Sequence, residues 1–270
     1  MTAANAILER ADLELIVDAA HEAGELAGVL RRRGLEIEYK PGDSTPVTNA
    51  DLAADALLTE RLRAARPDYG WLSEETADDA DRLSCKRLFV VDPIDGTRAF
   101  LNDKPWWAVS IAVVEGTRPT AGVVFAPQIE ETYAAEVGAG ATLNGRPIHA
   151  SAATVLEDSG MVADPRLFAL PHWREPWPPM RVAQRNSTAY RMCLVASGAF
   201  DAAVTLMTKH DWDLAAADLI AGEAGCFVGD ASGAAFVYNG ARPVQANLIC
   251  TAPGLAPLIL ERVSHISAPT

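Results

Sequence analysis

The stretch Leu88-Phe89-Val90-Val91-Asp92-Pro93-Ile94-Asp95-Gly96-Thr97 organises the reading of this chain. Its first four residues have the composition of a buried strand. Two carboxylates follow, three positions apart, and then Gly-Thr. A strand end places polar side chains at the lip of a sheet, where ligands bind. Pro93 fixes one torsion of the turn, and Gly96 lets backbone approach a ligand closely. Thr97 sets a hydroxyl beside amide N–H groups. Two hard carboxylates next to such a nest suit Mg²⁺ and a phosphate together. Asp-Pro and Asp-Gly are also ordinary turn dipeptides, so the hexapeptide alone leaves a plain turn open. A calcium loop does not fit, because the D-x-[DN]-x-[DN]-G spacing is missing.

Outward from this stretch stand two more acidic elements. Trp71-Leu72-Ser73-Glu74-Glu75 follows the turn Arg66-Pro67-Asp68-Tyr69-Gly70. Asp211-Trp212-Asp213 opens an Ala-rich helical pattern that ends near Gly225. Taken singly, a Glu-Glu pair reads as solvated surface and an Asp at a helix start as an N-cap. Together with Asp92 and Asp95 they supply enough carboxylate for two or three Mg²⁺ ions, although spacing alone does not bring them together.

The 270 residues are 49% hydrophobic and 22% charged, ordinary globular material with enough for a core. The formal net charge of −13 argues against nucleic-acid polymers and anionic membranes as partners. It would also repel a phosphate ester unless bound cations reverse the local sign. Charges at Glu9, Arg10, Asp12 and Glu14 exclude a signal-peptide core at the start of the sequence. No run of about 18 apolar residues predicts a membrane span. Cys85, Cys193, Cys226 and Cys250 form no CxxC pair, which disfavours structural zinc. Cys193 and Cys250 read as reduced core residues, and a cytoplasmic setting follows.

Periodicity predicts helices over 12–32, 50–65, 188–199 and 213–224, with Thr48 or Asn49 capping the second and Asp51 in its first turn. Strands are expected over 87–92, 106–115, 120–126 and 132–136, with turns at Glu115-Gly116-Thr117-Arg118 and Asn144-Gly145. Residues 171–179 read as a Pro- and Trp-rich loop whose Trp173 and Trp177 pack on the core. Trp106-Trp107 reads as strand core rather than a stacking platform. His21, His149, His172, His210 and His265 are scattered and read as structural or surface residues. Ser197-Gly198 lacks the GxSxG elbow of a serine hydrolase.

Lys40 to Asp55 (KPGDSTPVTNADLAAD), WLSEE at 71–75, DPIDGTRAF at 92–100 and WDLAAADLIAGEAG at 212–225 resemble the inositol monophosphatase superfamily. PWWAVSIAVV at 105–114 and GVVFAP at 122–127 also look like it. The four motifs stand in the family's order across nearly the whole chain. Spacing alone gives mixed α and β. The resemblance implies an α/β (α+β) fold, a layered αβαβα sandwich, with a metal-binding half over 1–148. The second half, 149–270, would complete the metal site and set substrate choice.

The resemblance implies a metal-dependent phosphatase inhibited by Li⁺. Glu74, Asp92, Asp95, Asp213 and the Ile94 carbonyl match its ligands for two or three Mg²⁺ ions, with Mn²⁺ able to substitute. Glu74 bridges the ions, and Asp51 and Thr97 match the pair that orients and activates the attacking water. The N–H groups of Gly96 and Thr97 match the phosphate cradle, aided by a following helix N-terminus. The implied partner is a small phosphorylated metabolite, with a homodimer allowed. Ala202-Ala203-Val204-Thr205-Leu206 carries no acid where inositol enzymes tend to hold a glutamate for inositol hydroxyls. Arg191 falls where bisphosphate nucleotidases tend to carry a basic residue, and Arg98 follows DPIDGT as in nucleotidases and histidinol-phosphate phosphatases. The substrate expectation is therefore 3'-phosphoadenosine 5'-phosphate, then inositol or sugar phosphates, then histidinol phosphate. A catalytically silent binding protein on this fold would require loss of a ligand, and each expected ligand is present.

Overall fold

The computed structural model describes residues 3–40, 45–171 and 173–264. Residues 41–44 of the first motif, His172 and His265 lie outside the described residues. Helix α1 (Ala3–Arg33) starts well ahead of the predicted residue 12, over an Ala-rich stretch of high helix propensity. Strands β1 (Ile37–Tyr39) and β2 (Pro46–Thr48) pair as an antiparallel ribbon that feeds α2 (Asn49–Ala65). Thr48 caps α2: its Oγ1 accepts from the N–H groups of Ala50 and Asp51, and Asp51 accepts in return from the Thr48 N–H.

Seven strands then form one sheet in chain order: β3 (Gly70–Ser73), β4 (Arg87–Asp95), β5 (Ala108–Glu115), β6 (Arg118–Ala126), β7 (Glu131–Glu136), β8 (Ala141–Leu143) and β9 (Arg146–Ile148). β3 and β4 run parallel, and every later neighbour is antiparallel. The short α3 (Thr97–Leu101) leaves the end of β4. Beyond residue 150 come β10 (Gly160–Val162), β11 (Arg181–Ala183), α4 (Thr188–Ala196), β12 (Ala202–Thr205), β13 (Lys209–His210), α5 (Asp211–Glu223), β14 (Phe227–Gly229), β15 (Val244–Gln245), β16 (Leu248–Thr251) and α6 (Ala256–Val263). Five of these strands make a mixed sheet in the order β11-β10-β12-β16-β14, while β13 and β15 pair as a ribbon.

Alternation along the central strands fixes the layers. Phe89 and Val91 of β4, with Val109, Ile111 and Val113 of β5, face Ile16, Ala20 and Ala23 of α1 and Ala54, Leu58 and Leu62 of α2. Leu88 and Val90, with Ala112 and Val114, face the other way onto α4 and α5. The smaller sheet covers the far side of those helices through Val162, Ala203, Leu248 and Cys250. Its outer face packs Ala202, Val204 and Ile249 against Ile259 and Val263 of α6. The order is helix, sheet, helix, sheet, helix, the αβαβα sandwich that the resemblance implies.

Two local expectations change. β4 does not end at Asp92 but continues to Asp95, with a register shift between these two residues. Pro93 has no N–H for the ladder, and the Ile94 N–H turns to the Asp92 side chain at 3.0 Å instead of a neighbouring strand. β5 begins at Ala108 rather than 106, since the chain first closes a turn from the Lys104 N–H to the Ala99 carbonyl. Trp107 is therefore core but not strand, packed edge-on against Phe100. Trp106 is not strand either; it is half-buried against the core, with the Arg185 guanidinium over its ring, 4.2 Å from centroid to carbon. Trp173 and Trp177 pack on the second core as expected.

α5 lies so close to β6 that Gly122 has no room for a side chain: a Cβ there would sit 2.8 Å from the Ala216 carbonyl oxygen. Gly122→Ala is expected to cost about 1–3 kcal/mol. Gly222→Ala, on the same helix with nothing within 4 Å, should leave stability unchanged or raise it. Thermal unfolding of both variants beside the wild type checks the pair.

Candidate active site

The bulged end of β4 turns Asp92 and Asp95 toward the starts of two helices from the second half of the chain. Asp95 sits against the first turn of α4 and accepts from the N–H groups of Thr188 (3.1 Å) and Ala189 (2.7 Å) and from Ser187 Oγ (2.6 Å). Ser187 in turn caps α4 by accepting from the Tyr190 N–H. Asp213 is in the first turn of α5, and its Oδ2 accepts from the His210 N–H at 2.8 Å. His210 thus takes the N-cap position, while Asp213 serves as the first-turn acid. Ligand oxygens of Asp92, Asp95 and Asp213 lie within 4.8 Å of one another.

Glu74, at the end of β3, faces the same group, but it is not solvated surface. It and Glu75 both accept from Lys40 Nζ, at 3.0 and 2.9 Å. Burial pushes Glu74 above the usual carboxylate range, with Glu75 and Asp213 adding to the push and Lys40 opposing it. Burial likewise drives Asp92 well up, reinforced by Glu74, Asp95 and Asp213. Asp95 rises to about 6 through burial and Asp213, against the hydrogen bonds from Ser187 and Ala189. This is a crowded set of hard oxygen donors whose charges oppose one another, which fits a hard divalent cation.

Beside the cluster, Thr97 Oγ lies 3.4 Å from Asp51 Oδ1 and 3.3 Å from the Ile94 carbonyl. Asp51 also accepts from the N–H (2.8 Å) and hydroxyl (2.6 Å) of Thr48. It rises to about 6 because burial outweighs those bonds. Gly96, at φ 95°, delivers the chain into α3. A side chain there would press on Ser187, whose N is 3.0 Å from the position a Cβ would take, so the backbones of β4 and α4 touch at this seam.

Arg191 is half-buried on α4. Its guanidinium bonds the Ser187 carbonyl and Thr188 Oγ1. Burial lowers it from the ordinary guanidinium value, while Asp95, Asp213 and Asp164 pull the other way. Arg191 therefore belongs to the site's surroundings and not to open helix surface, whereas Arg98 is exposed. Ala202, Ala203 and Val204, judged on their lack of an acid, are buried in β12. The exposed positions beyond them, Met207, Thr208 and His210, carry no acid either. His21 bonds Thr132 Oγ1 and stacks on Phe125, a structural role. Cys193 and Cys250 are buried thiols.

Sequence reasoning missed Lys40 and Ser187. Lys40 opens the first motif, but nothing in its spacing announces two carboxylates from β3. Ser187 carries an ordinary cap signature ahead of an apolar helix, and that signature does not name Asp95 as its partner.

The family model for the inositol monophosphatase family matches residues 9–268. The chain belongs to that family. A histidinol-phosphatase of Chlorobaculum parvum is 35% identical over 243 residues, covering 87% of this chain and 92% of that protein. A 3'(2'),5'-bisphosphate nucleotidase of Aggregatibacter actinomycetemcomitans is 29% identical over 241 residues, covering 84% and 87%. The solved structure of an IMPase from Thermotoga maritima superposes with a TM-score of 0.80 at 28% identity, covering 94% of this chain and 96% of that one. As a member of the inositol monophosphatase family the chain is a phosphoric monoester hydrolase, and the family is metal-dependent. No described helix is long and apolar enough to cross a membrane.

The raised carboxylates make stability depend on pH. Asp51 and Asp95 titrate at about 6 in the folded chain, against about 3.9 when unfolded. Without metal, their contribution is therefore full below about pH 4 and lost as pH rises through about 6, each costing on the order of 3 kcal/mol once ionised. In EDTA the Tm should fall between pH 5 and pH 7.5, and saturating Mg²⁺ should flatten that fall. Parallel slopes with and without Mg²⁺ would contradict this account.

Proposed function

We propose that this chain is a Mg²⁺-dependent hydrolase of small phosphate monoesters, with Mn²⁺ able to substitute, and that its preferred substrate carries a second anionic group. The observation that carries the reading is the convergence of Asp92 and Asp95 from the end of β4 with Asp213, more than a hundred residues on at the start of α5, within 4.8 Å. Glu74, Asp92, Asp95, Asp213 and the Ile94 carbonyl would hold the divalent ions. Such ions, when bound, neutralise the phosphate and the departing alkoxide and acidify water.

The chain's own residues do the rest. Asp51 and Thr97 hold the attacking water: Thr97 is within reach of Asp51, and the Thr48 bonds fix the orientation of the carboxylate. The backbone N–H groups of Gly96 and Thr97 receive phosphate oxygens at the start of α3, where the first amides have no carbonyl one turn back. Asp213 stands on the helix contributed by the second half and bounds the substrate side of the site.

Arg191 supports the choice of a second anion. It is half-buried, its charge is favoured by Asp95, Asp213 and Asp164, and it has no carboxylate within ion-pair distance among the described residues. A 3'(2'),5'-bisphosphate nucleotide such as 3'-phosphoadenosine 5'-phosphate presents a second phosphate that could meet this guanidinium. A second reading, histidinol phosphate, is favoured by the 35% identity to a histidinol-phosphatase. Inositol and other sugar phosphates stand behind both, since no acid lies at the exposed positions after β12. We assign the metal-binding role to 1–148, and completion of the site and substrate choice to 149–270. We place the enzyme in the cytoplasm, a setting supported by the buried thiols Cys193 and Cys250. The reading admits a homodimer, which light scattering would detect.

Phosphate release should require Mg²⁺ or Mn²⁺, vanish in excess EDTA and be inhibited by Li⁺. Asp213→Asn can keep the bond from the His210 N–H but loses its charge, and kcat should fall on the order of a hundredfold or more. Full turnover in EDTA would overturn the metal reading. A screen with adenosine 3',5'-bisphosphate, histidinol phosphate, inositol monophosphates and fructose bisphosphate ranks the substrates.

Arg191→Ala should lower kcat/KM for the bisphosphate by roughly ten- to a hundredfold and spare an inositol monophosphate. An unchanged ratio of the two efficiencies would remove Arg191 from substrate recognition.

A further inference from the structure

The ligands Glu74 and Asp213 stand on different layers, and no direct bond joins them. A buried arginine that none of the motifs contains lies between their supports. Arg82 is in the 3-10 turn Ala80–Ser84 that follows the Glu74-Glu75 segment, and its side chain is 2% exposed. The turn lies directly on β3, because a Cβ at Gly70 would come within 3.2 Å of the Arg82 Cα and Cβ. One edge of the guanidinium takes both oxygens of Asp78, at 2.6 and 2.9 Å. The remaining N–H groups cross to the loop ahead of β15 and donate to Asn239 Oδ1 (2.5 Å) and the Gly240 carbonyl (3.0 Å).

That loop grips the start of α5. The Asn239 N–H donates to Asp211 Oδ2 and Gln245 Nε2 to Asp211 Oδ1, both at 2.9 Å. The Asp211 N–H is itself held by the Pro243 carbonyl at 3.0 Å. Asp211 is fully buried and is the first residue of α5, two before Asp213. On the opposite side, Asp55 of α2 holds the Glu74 segment through Ser73 Oγ and Thr76 Oγ1. A polar path therefore runs from Asp78, four residues after Glu74 on the same segment, through Arg82, Asn239 and Asp211 to the helix start that carries Asp213.

We infer that Arg82 is a positioning residue: it sets the span between Glu74 and Asp213 and so tunes the affinity of the site for divalent cations without touching cation or substrate. The inference rests on the reading of those two acids as ligands. A planar guanidinium with four acceptors in fixed directions fixes both distance and angle, which a lysine could not. Removing groups that orient metal ligands typically weakens metal binding by about 10–100-fold.

The test titrates Mg²⁺ into the full chain by calorimetry and compares the Mg²⁺ dissociation constant with the Tm in EDTA and with kcat at saturating Mg²⁺. Arg82→Ala should weaken Mg²⁺ by about tenfold or more, with kcat largely restored at high Mg²⁺, and Arg82→Lys should fall between it and the wild type. Arg118→Ala is the stability control. Arg118 ties the same loop through the Phe236 carbonyl and reaches Asp218 farther along α5, but it does not touch Asn239, Gly240 or Asp211. It should lower the Tm and leave the Mg²⁺ constant within about twofold. Should Arg82→Ala fail to fold, Asn239→Gly carries the test. It removes the Oδ1 acceptor, keeps the N–H that holds Asp211, and suits the φ of 60° at that position. Variants of Arg82 or Asn239 that bind Mg²⁺ like the wild type, losing only stability, would overturn the positioning role. Wild-type protein that binds no Mg²⁺ would overturn the metal reading and this inference together.

Discussion

Mutual repulsion among buried carboxylates governs this structure. Asp92 and Asp95 are almost wholly out of solvent, and Asp213 reaches them from a helix on the next layer. An ionised carboxylate in such surroundings is costly unless something answers its charge. Within the chain the answer comes mainly from the starts of helices. Asp95 takes two amides of α4, and Asp213 takes the His210 amide ahead of α5. Asp51 performs the same service at α2. Lys40 answers Glu74 and Glu75 with a full charge. Among the described residues Asp92 receives only the Ile94 amide, and burial with its acidic neighbours drives it well up. The protein leaves this deficit unfilled at the place where a divalent cation would relieve it.

The layered fold gives that deficit its location. β4 is the second strand of the larger sheet, paired between the edge strand β3 and β5, with α1 and α2 on one face and α4 and α5 on the other. Its bulged end reaches the edge of the inner helical layer at the point where α4 and α5 both begin. Close approach is built in at Gly122, where β6 meets α5, and at Gly96, where β4 meets α4. Rigid elements therefore carry every acid of the cluster, as geometry-sensitive chemistry requires. The segment 236–245, held by Arg82, Arg118, Asp211 and Asp218, braces the start of α5.

On the proposed reading the two halves of the chain divide the labour. The acids around the bulge fit the hydrolysis that the family shares. Arg191 and the exposed Met207, Thr208 and His210, to which that reading gives substrate choice, belong to the second half. Arg191 lies against the first turn of the helix whose amides hold Asp95, so a contact with substrate there would be felt close to the reacting phosphate.

Much of this was legible in the chain before any coordinates. The apolar run 88–91 ahead of Asp92 and Asp95, the Thr48 cap with Asp51 behind it, and the Asp213 start of α5 are local patterns. Local patterns depend on torsions and hydrogen bonds between near neighbours. The strand continuing past Pro93 to Asp95, the escape of Trp106 from β5, and the pairing of Lys40 with Glu74 and Glu75 were not legible. Each depends on a partner distant in sequence: β5 opposite the bulge, Arg185 above the indole, β3 beside the ribbon. The sequence by itself determined which residues could bind a hard cation and which helices and strands would display them. Only the tertiary structure decided that Asp92, Asp95 and Asp213 converge, that Ser187 braces Asp95, and that Arg82 joins Asp78 to the loop that holds Asp211. Convergence of this kind is set by the packing of sheets and helices against one another, and spacing along a single strand or helix does not encode it.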